Sequence, residues 1–148
     1  MAETLFSGRF DASPAELQRI RDGLRAALED AGVTGSRRDA VVMAVNEACM
    51  NVIQHGYAGR PGWIGVTLGL DGDRLEVCIE DGAPALDPAR VQPRDLATVR
   101  PGGLGVHFMR SLMDSVEYRP DPGGTGNRLI MQVHLYQQEG NHELRSEP

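Results

Sequence analysis

The sequence predicts an α+β fold, a two-layer sandwich in which helices cover one face of a sheet. Two early segments repeat their apolar residues at helical spacing, two middle segments alternate apolar and polar residues around a hairpin turn, and strand-like runs close the chain. Helices and paired antiparallel strands segregated in this way stack as two layers around one core. At 148 residues with 41% hydrophobic content, the chain is long enough to bury one such core and too short for two ordinary domains. A single domain is expected over residues 1–136, followed by a polar tail at 137–148 that frays.

Residues 4–10 read as a short strand. Ser13 and Pro14 then supply an N-cap and a proline at the first helical position, opening a helix over 14–31. Its apolar residues Leu17, Ile20, Leu24 and Leu28 form one stripe, and Gly32 stops it. Ser36 opens a second helix over 36–55, which Gly56 ends. Val41, Val45, Ala48, Cys49 and Val52 make its apolar stripe, with Glu47, Asn51 and Gln54 on the side away from it. Residues 63–70 place Ile64, Val66, Leu68 and Leu70 on one strand face, and residues 74–81 do the same with Leu75, Val77 and Ile79. Asp71-Gly72 is the turn between them. The stretch 82–105 carries prolines and glycines without a sustained period, longer than connecting loops usually run, which marks a functional lid or an unstructured segment. A third helix over 104–113 buries Val106, Met109, Leu112 and Met113, and strands over 115–119 and 128–136 complete the prediction.

Composition removes several function classes. A net charge of −6 offers no clustered cation face for a nucleic-acid backbone, so direct nucleic-acid binding is not expected. No apolar run approaches the roughly 20 residues that span a bilayer, and the N-terminus lacks a secretory pattern, so a soluble cytoplasmic protein is expected. All 15 basic residues are arginine. Without lysine there is neither a phosphate-binding loop of the Walker type nor the strand lysine of eukaryotic-type protein kinases, and no Schiff-base chemistry. The two cysteines, Cys49 and Cys78, sit in apolar stretches and read as reduced buried thiols. The four histidines match no zinc spacing, and no serine occupies a nucleophile elbow.

The residues that remain suit nucleotide chemistry. Glu47 and Asn51 stand four apart on a helix and project from neighbouring turns, where a carboxylate can activate a hydroxyl and an amide oxygen can hold hydrated magnesium; they also read as a polar face turned to solvent. Asp81 falls in step with the inward set Leu75, Val77 and Ile79, so it points at the core layer and needs a donor, which the amino group of adenine supplies. It also reads as a turn cap before Gly82. Gly102, Gly103 and Gly105 lie where the third helix opens, suited either to close approach of a phosphate or to a sharp turn. Gly124, Thr125, Gly126 and Asn127 make a turn before the last strand, with the Thr125 hydroxyl free to meet a phosphate or to cap its own loop.

Taken in order, these pieces resemble the nucleotide boxes of the ATPase superfamily shared by gyrase, the Hsp90 chaperones, histidine kinases and MutL. AVNEACMNVIQHGY (44–57) resembles its asparagine box, IEDGAPALDP (79–88) its first glycine box and PGGLGVHFMRSLMD (101–114) its second. With the ending GTGNRLIM (124–131), box order and spacing look most like the serine kinases that act as anti-sigma factors in bacterial stress and sporulation switches. The resemblance implies a Bergerat-type sandwich with a mixed sheet, and a single ATP-binding kinase domain using ATP and Mg2+. It implies that Asn51 binds the metal, Glu47 is the general base and Asp81 reads adenine within a box that includes Gly82 and Ala83. Gly102, Gly103, Leu104 and Gly105 would belong to the lid over the phosphates, Thr125 would lie by the adenine or the phosphates, and Arg21 would contact a partner. The implied partners are a STAS-like anti-sigma-factor antagonist, a sigma factor, or both, with a homodimer as the assembly.

One departure stands out: Ala83 occupies the place of a usual glycine, and a positive φ there would cost about 1 kcal/mol or more. Glu47 favours a serine kinase over a histidine kinase, because a hydroxyl benefits from a base. The competing reading is a partner-switching module that holds ATP with little or no catalysis.

Overall fold

A computed structural model of the chain describes residues 2–85 and 112–135. Gly102, Gly103, Leu104 and Gly105, most of the expected third helix, and the polar tail lie outside the described residues. Five strands form one sheet: β1 (Glu3–Asp11), β2 (Trp63–Asp71), β3 (Arg74–Pro84), β4 (Ser115–Pro120) and β5 (Thr125–His134), in the order β1-β2-β3-β5-β4. Two helices, α1 (Leu17–Asp30) and α2 (Gly35–Asn51), cover one face. A single 3-10 turn at Pro14–Glu16 precedes α1, the proline having no N–H to contribute to the first helical bonds.

The sheet corrects the expectation of a mixed one, since every pairing among the described residues is antiparallel. β3 and β4 do run parallel to each other, but β5 lies between them and is antiparallel to both.

Burial follows the period of each element. Leu17, Ile20, Leu24 and Leu28 of α1 and Val41, Val45, Ala48 and Cys49 of α2 pack on the inward row of the sheet. That row is made by Ile64, Val66 and Leu68 of β2, Leu75, Val77 and Ile79 of β3, and Leu129, Met131 and Val133 of β5. The opposite face is polar: Arg128 pairs with Glu80 across β5 and β3 at 2.9 Å, and Gln132 donates to Glu76 at 2.6 Å. Cys78 is half-buried on this outer face, so of the two thiols only Cys49 belongs to the core.

The second helix does not run on to residue 55 as an α-helix. After Asn51 it widens into a π turn over Val52–Gly56, and the Tyr57 N–H donates five residues back to the Val52 carbonyl at 2.8 Å. The widening moves the apolar stripe by one residue, so Ile53 is buried and Val52 is only half-buried.

Candidate functional site

Asn51 closes α2, and the oxygen and nitrogen of its side-chain amide are both buried with no hydrogen-bond partner. They are the one such pair among the described residues. The alternative reading of Asn51 as part of a polar face turned to solvent does not hold for its amide, which is covered. An unpaired buried amide costs about 1–3 kcal/mol, and a native fold that keeps one marks a place where an ion, a ligand or water is to be bound. Glu47 lies one turn earlier on the same side of α2, half-buried and with no hydrogen bond or ion pair among the described residues.

Asp81 sits near the end of β3 on the inward row and is 7% exposed. Its Oδ1 accepts from the Nδ2 of Asn127 at 3.0 Å and from the Ala83 N–H at 2.9 Å. Both bonds fall on one oxygen, so Oδ2 is left for a further donor. The reading of Asp81 as a turn cap is realised through the Ala83 N–H, on Oδ1. Burial pushes the Asp81 carboxyl above its ordinary pKa, opposed by the bonds from Asn127 and Ala83.

Asn127 also donates to the Pro84 carbonyl at 3.1 Å, so one buried amide clamps both ends of the turn. The sequence places it only in a turn, yet it carries a signal of its own: it falls in step with Leu129, Met131 and Val133, a polar residue in an inward row. Residues 124–127 are not a turn throughout, because β5 begins at Thr125 and pairs it with Pro84 while Asn127 pairs with Asp81. Between these pairs Gly82 and Ala83 of β3 oppose the single Gly126 of β5, a bulge of the kind found beside functional sites. Gly126 makes the close approach possible: its φ is 104°, and a Cβ there would stand 3.3 Å from the Asp81 carbonyl oxygen.

The bulge also resolves the Ala83 departure. Among the described residues the one positive-φ residue other than glycine is Ala58, so Ala83 carries no left-handed strain; it is buried at 1% exposure. Gly56, at the end of the π turn, packs against it: a Cβ on Gly56 would lie 3.4 Å from the Ala83 Cβ. This contact brings the end of the Asn51 helix onto the Asp81 turn. Thr125 stands exposed at the edge of that turn. Arg21 is half-buried and donates to Asn46 at 2.8 Å and to Gln18 at 2.7 Å, joining α1 to α2.

The residues present fit magnesium and a nucleotide. Among the described residues no group of three or more His, Cys, Asp or Glu could hold a metal by itself. An ion at Asn51 would take one amide oxygen and complete its shell from phosphates and water, as magnesium does.

The family model of the histidine kinase-like ATPase domain matches residues 10–133. The serine-protein kinase RsbW of Bacillus subtilis (strain 168) is 32% identical over 142 residues, covering 89% of this chain and 86% of that protein. The protein of the same name from Bacillus cereus (strain AH187) is 33% identical over 91 residues, covering 56% of this chain; the match spans only 57% of that relative's length. Among solved structures, the RsbU and RsbW domains of Rv1364c from Mycobacterium tuberculosis share the fold with a TM-score of 0.60 at 21% identity, covering 88% of this chain and 32% of that one. The histidine kinase domain of the Erythrobacter litoralis EL346 blue-light activated histidine kinase does so with a TM-score of 0.57 at 19% identity, covering 85% of this chain and 62% of that one. The chain belongs to the histidine kinase-like ATPase domain family and, within it, to the RsbW-type serine-protein kinases.

Proposed function

We propose that the chain is an ATP-dependent serine protein kinase of the anti-sigma switch type, acting in the cytoplasm with Mg2+. Its partner is a small STAS-like antagonist that it phosphorylates, a sigma factor that it sequesters, or both. The observation that carries the reading is the buried amide of Asn51, unpaired among the described residues, on a helix whose end packs against the turn bearing Asp81.

In this reading Asp81 accepts the adenine amino group on Oδ2 while Asn127 and Ala83 hold Oδ1. The Asn51 amide oxygen would hold magnesium, which when bound neutralises charge on the phosphates. Glu47 receives the proton of the substrate serine as its Oγ forms a bond to the terminal phosphorus and the bond to ADP breaks. A half-buried carboxylate with no ion pair among the described residues is free to take that proton. Gly102, Gly103, Leu104 and Gly105 belong to the lid over the phosphates, Thr125 lies at the rim of the site and Arg21 contacts the partner.

The test is Glu47→Ala with labelled ATP and a STAS-like antagonist. Phosphate transfer falls by at least about 100-fold, the usual scale of general-base catalysis, while ATP and antagonist binding stay near those of the unmodified chain. Transfer that survives in the variant removes Glu47 from the chemistry. An unmodified chain that binds both and transfers nothing is a partner-switching module instead.

A further inference from the structure

Tyr57 follows the π turn and is 9% exposed. Its hydroxyl donates to the Trp63 carbonyl at 2.7 Å and accepts the N–H of Trp63 at 3.1 Å and the N–H of Gly82 at 2.7 Å. One donor and two lone pairs are all a phenol has, so the group is saturated. The partners are the first residue of β2 and the residue directly after Asp81. The ring is held in place as well, since a Cβ on Gly62 would stand 2.2 Å from it. On the other side of the turn the Trp63 indole lies against Gly82, where a Cβ would stand 2.8 Å from Nε1. Tyr57 also closes the π turn through its own N–H. One residue thereby joins the end of the Asn51 helix to the backbone beside Asp81.

We infer that Tyr57 is a positioning residue for nucleotide recognition: its hydroxyl sets the Asp81 turn relative to Asn51, so that the carboxylate meets the purine amino group while the phosphates reach the helix end. This rests on the reading of Asp81 as the adenine-recognising carboxylate. Removing the hydroxyl frees the Gly82 N–H and lets the turn relax, whereas the ring packing stays. The loss therefore falls on recognition of the amino group more than on binding of the rest of the nucleotide.

The experiment compares ATP with purine riboside triphosphate, which has the same ring without the amino group, in the unmodified chain, Tyr57→Phe and Asp81→Asn. The unmodified chain prefers ATP, Asp81→Asn loses the preference, and Tyr57→Phe reduces it by about tenfold, the effect of one strong hydrogen bond lost. A Tyr57→Phe chain with the full preference overturns the proposal even if it binds both nucleotides more weakly, because that is what a purely structural role gives. Preference retained in Asp81→Asn overturns the adenine reading itself, and the Tyr57 role with it. Should Tyr57→Phe not fold, hydrogen exchange of the Gly82 amide in the unmodified, ligand-free chain decides: protection supports the bond to Tyr57, and exchange at the rate of an open loop overturns it.

Discussion

Asn51 tests the proposed site with a single side chain. Its amide is buried and, among the described residues, has no hydrogen-bond partner. Alanine has the better helix propensity and leaves no polar atom to satisfy, so Asn51→Ala should keep the stability of the ligand-free protein within about 1 kcal/mol and should abolish magnesium-dependent ATP binding. Urea melts with and without Mg-ATP measure both; a variant that Mg-ATP still stabilises as much as the unmodified chain would remove Asn51 from the site. Asp81 adds a pH dependence of definite sign. Burial holds its folded pKa above the ordinary carboxylate value, so the unfolded chain ionises first as pH rises. Its contribution to stability is greatest below the ordinary value and is lost as pH climbs through the raised one. On the proposed reading nucleotide binding runs the other way, since only an ionised carboxylate accepts an amino group at full strength: ATP affinity should decline as pH falls through the raised value, and in Asp81→Asn this dependence should disappear. Titration calorimetry across the weakly acidic range checks it. Asp81 was legible because strand alternation reaches it, and Asn51 only in part, because the α-helical period does not tell that its amide would be covered.

The element that decides the geometry of the site is the β3 bulge. Strand patterning took β3 to residue 81 and began the last strand at residue 128, whereas the pairing continues to Pro84 and Thr125. A bulge is a property of two strands together, and neither strand's own alternation announces it. The π turn was hidden for a similar reason: its signature is a shifted burial stripe, which needs the sheet beneath it. The bulge also gives Ala83 a meaning of its own. Because its φ is not positive, Ala83→Gly relieves nothing; it adds unfolded-state entropy and removes the methyl that Gly56 packs against. The expected outcome is a chain less stable by about 1 kcal/mol with unimproved ATP affinity, read by thermal melts and equilibrium binding. Tighter ATP binding in the variant would show that the residue is under strain after all.

At the scale of the molecule, the two-layer class and the face that carries the helices were readable from period alone, because each apolar stripe must be buried against another element. Strand order was not. The sequence places β4 after β3, but the hairpin of β4 and β5 docks with β5 inward, and register between non-local strands is set by side chains that meet only in the folded state. That order gives the Asp81–Asn127 bond a second significance. It joins residues 46 apart in sequence, across the one ladder among the described residues whose strands are not consecutive in the chain. Loop closure of that kind is slow and is rewarded only when the ladder forms. The Asp81 carboxylate thus acquires its fixed orientation only when the hairpin of β4 and β5 has docked on β3. A nascent chain halted before Asn127 carries Glu47, Asn51 and Asp81 but lacks the clamp, so on the proposed reading competence to recognise adenine waits for β5.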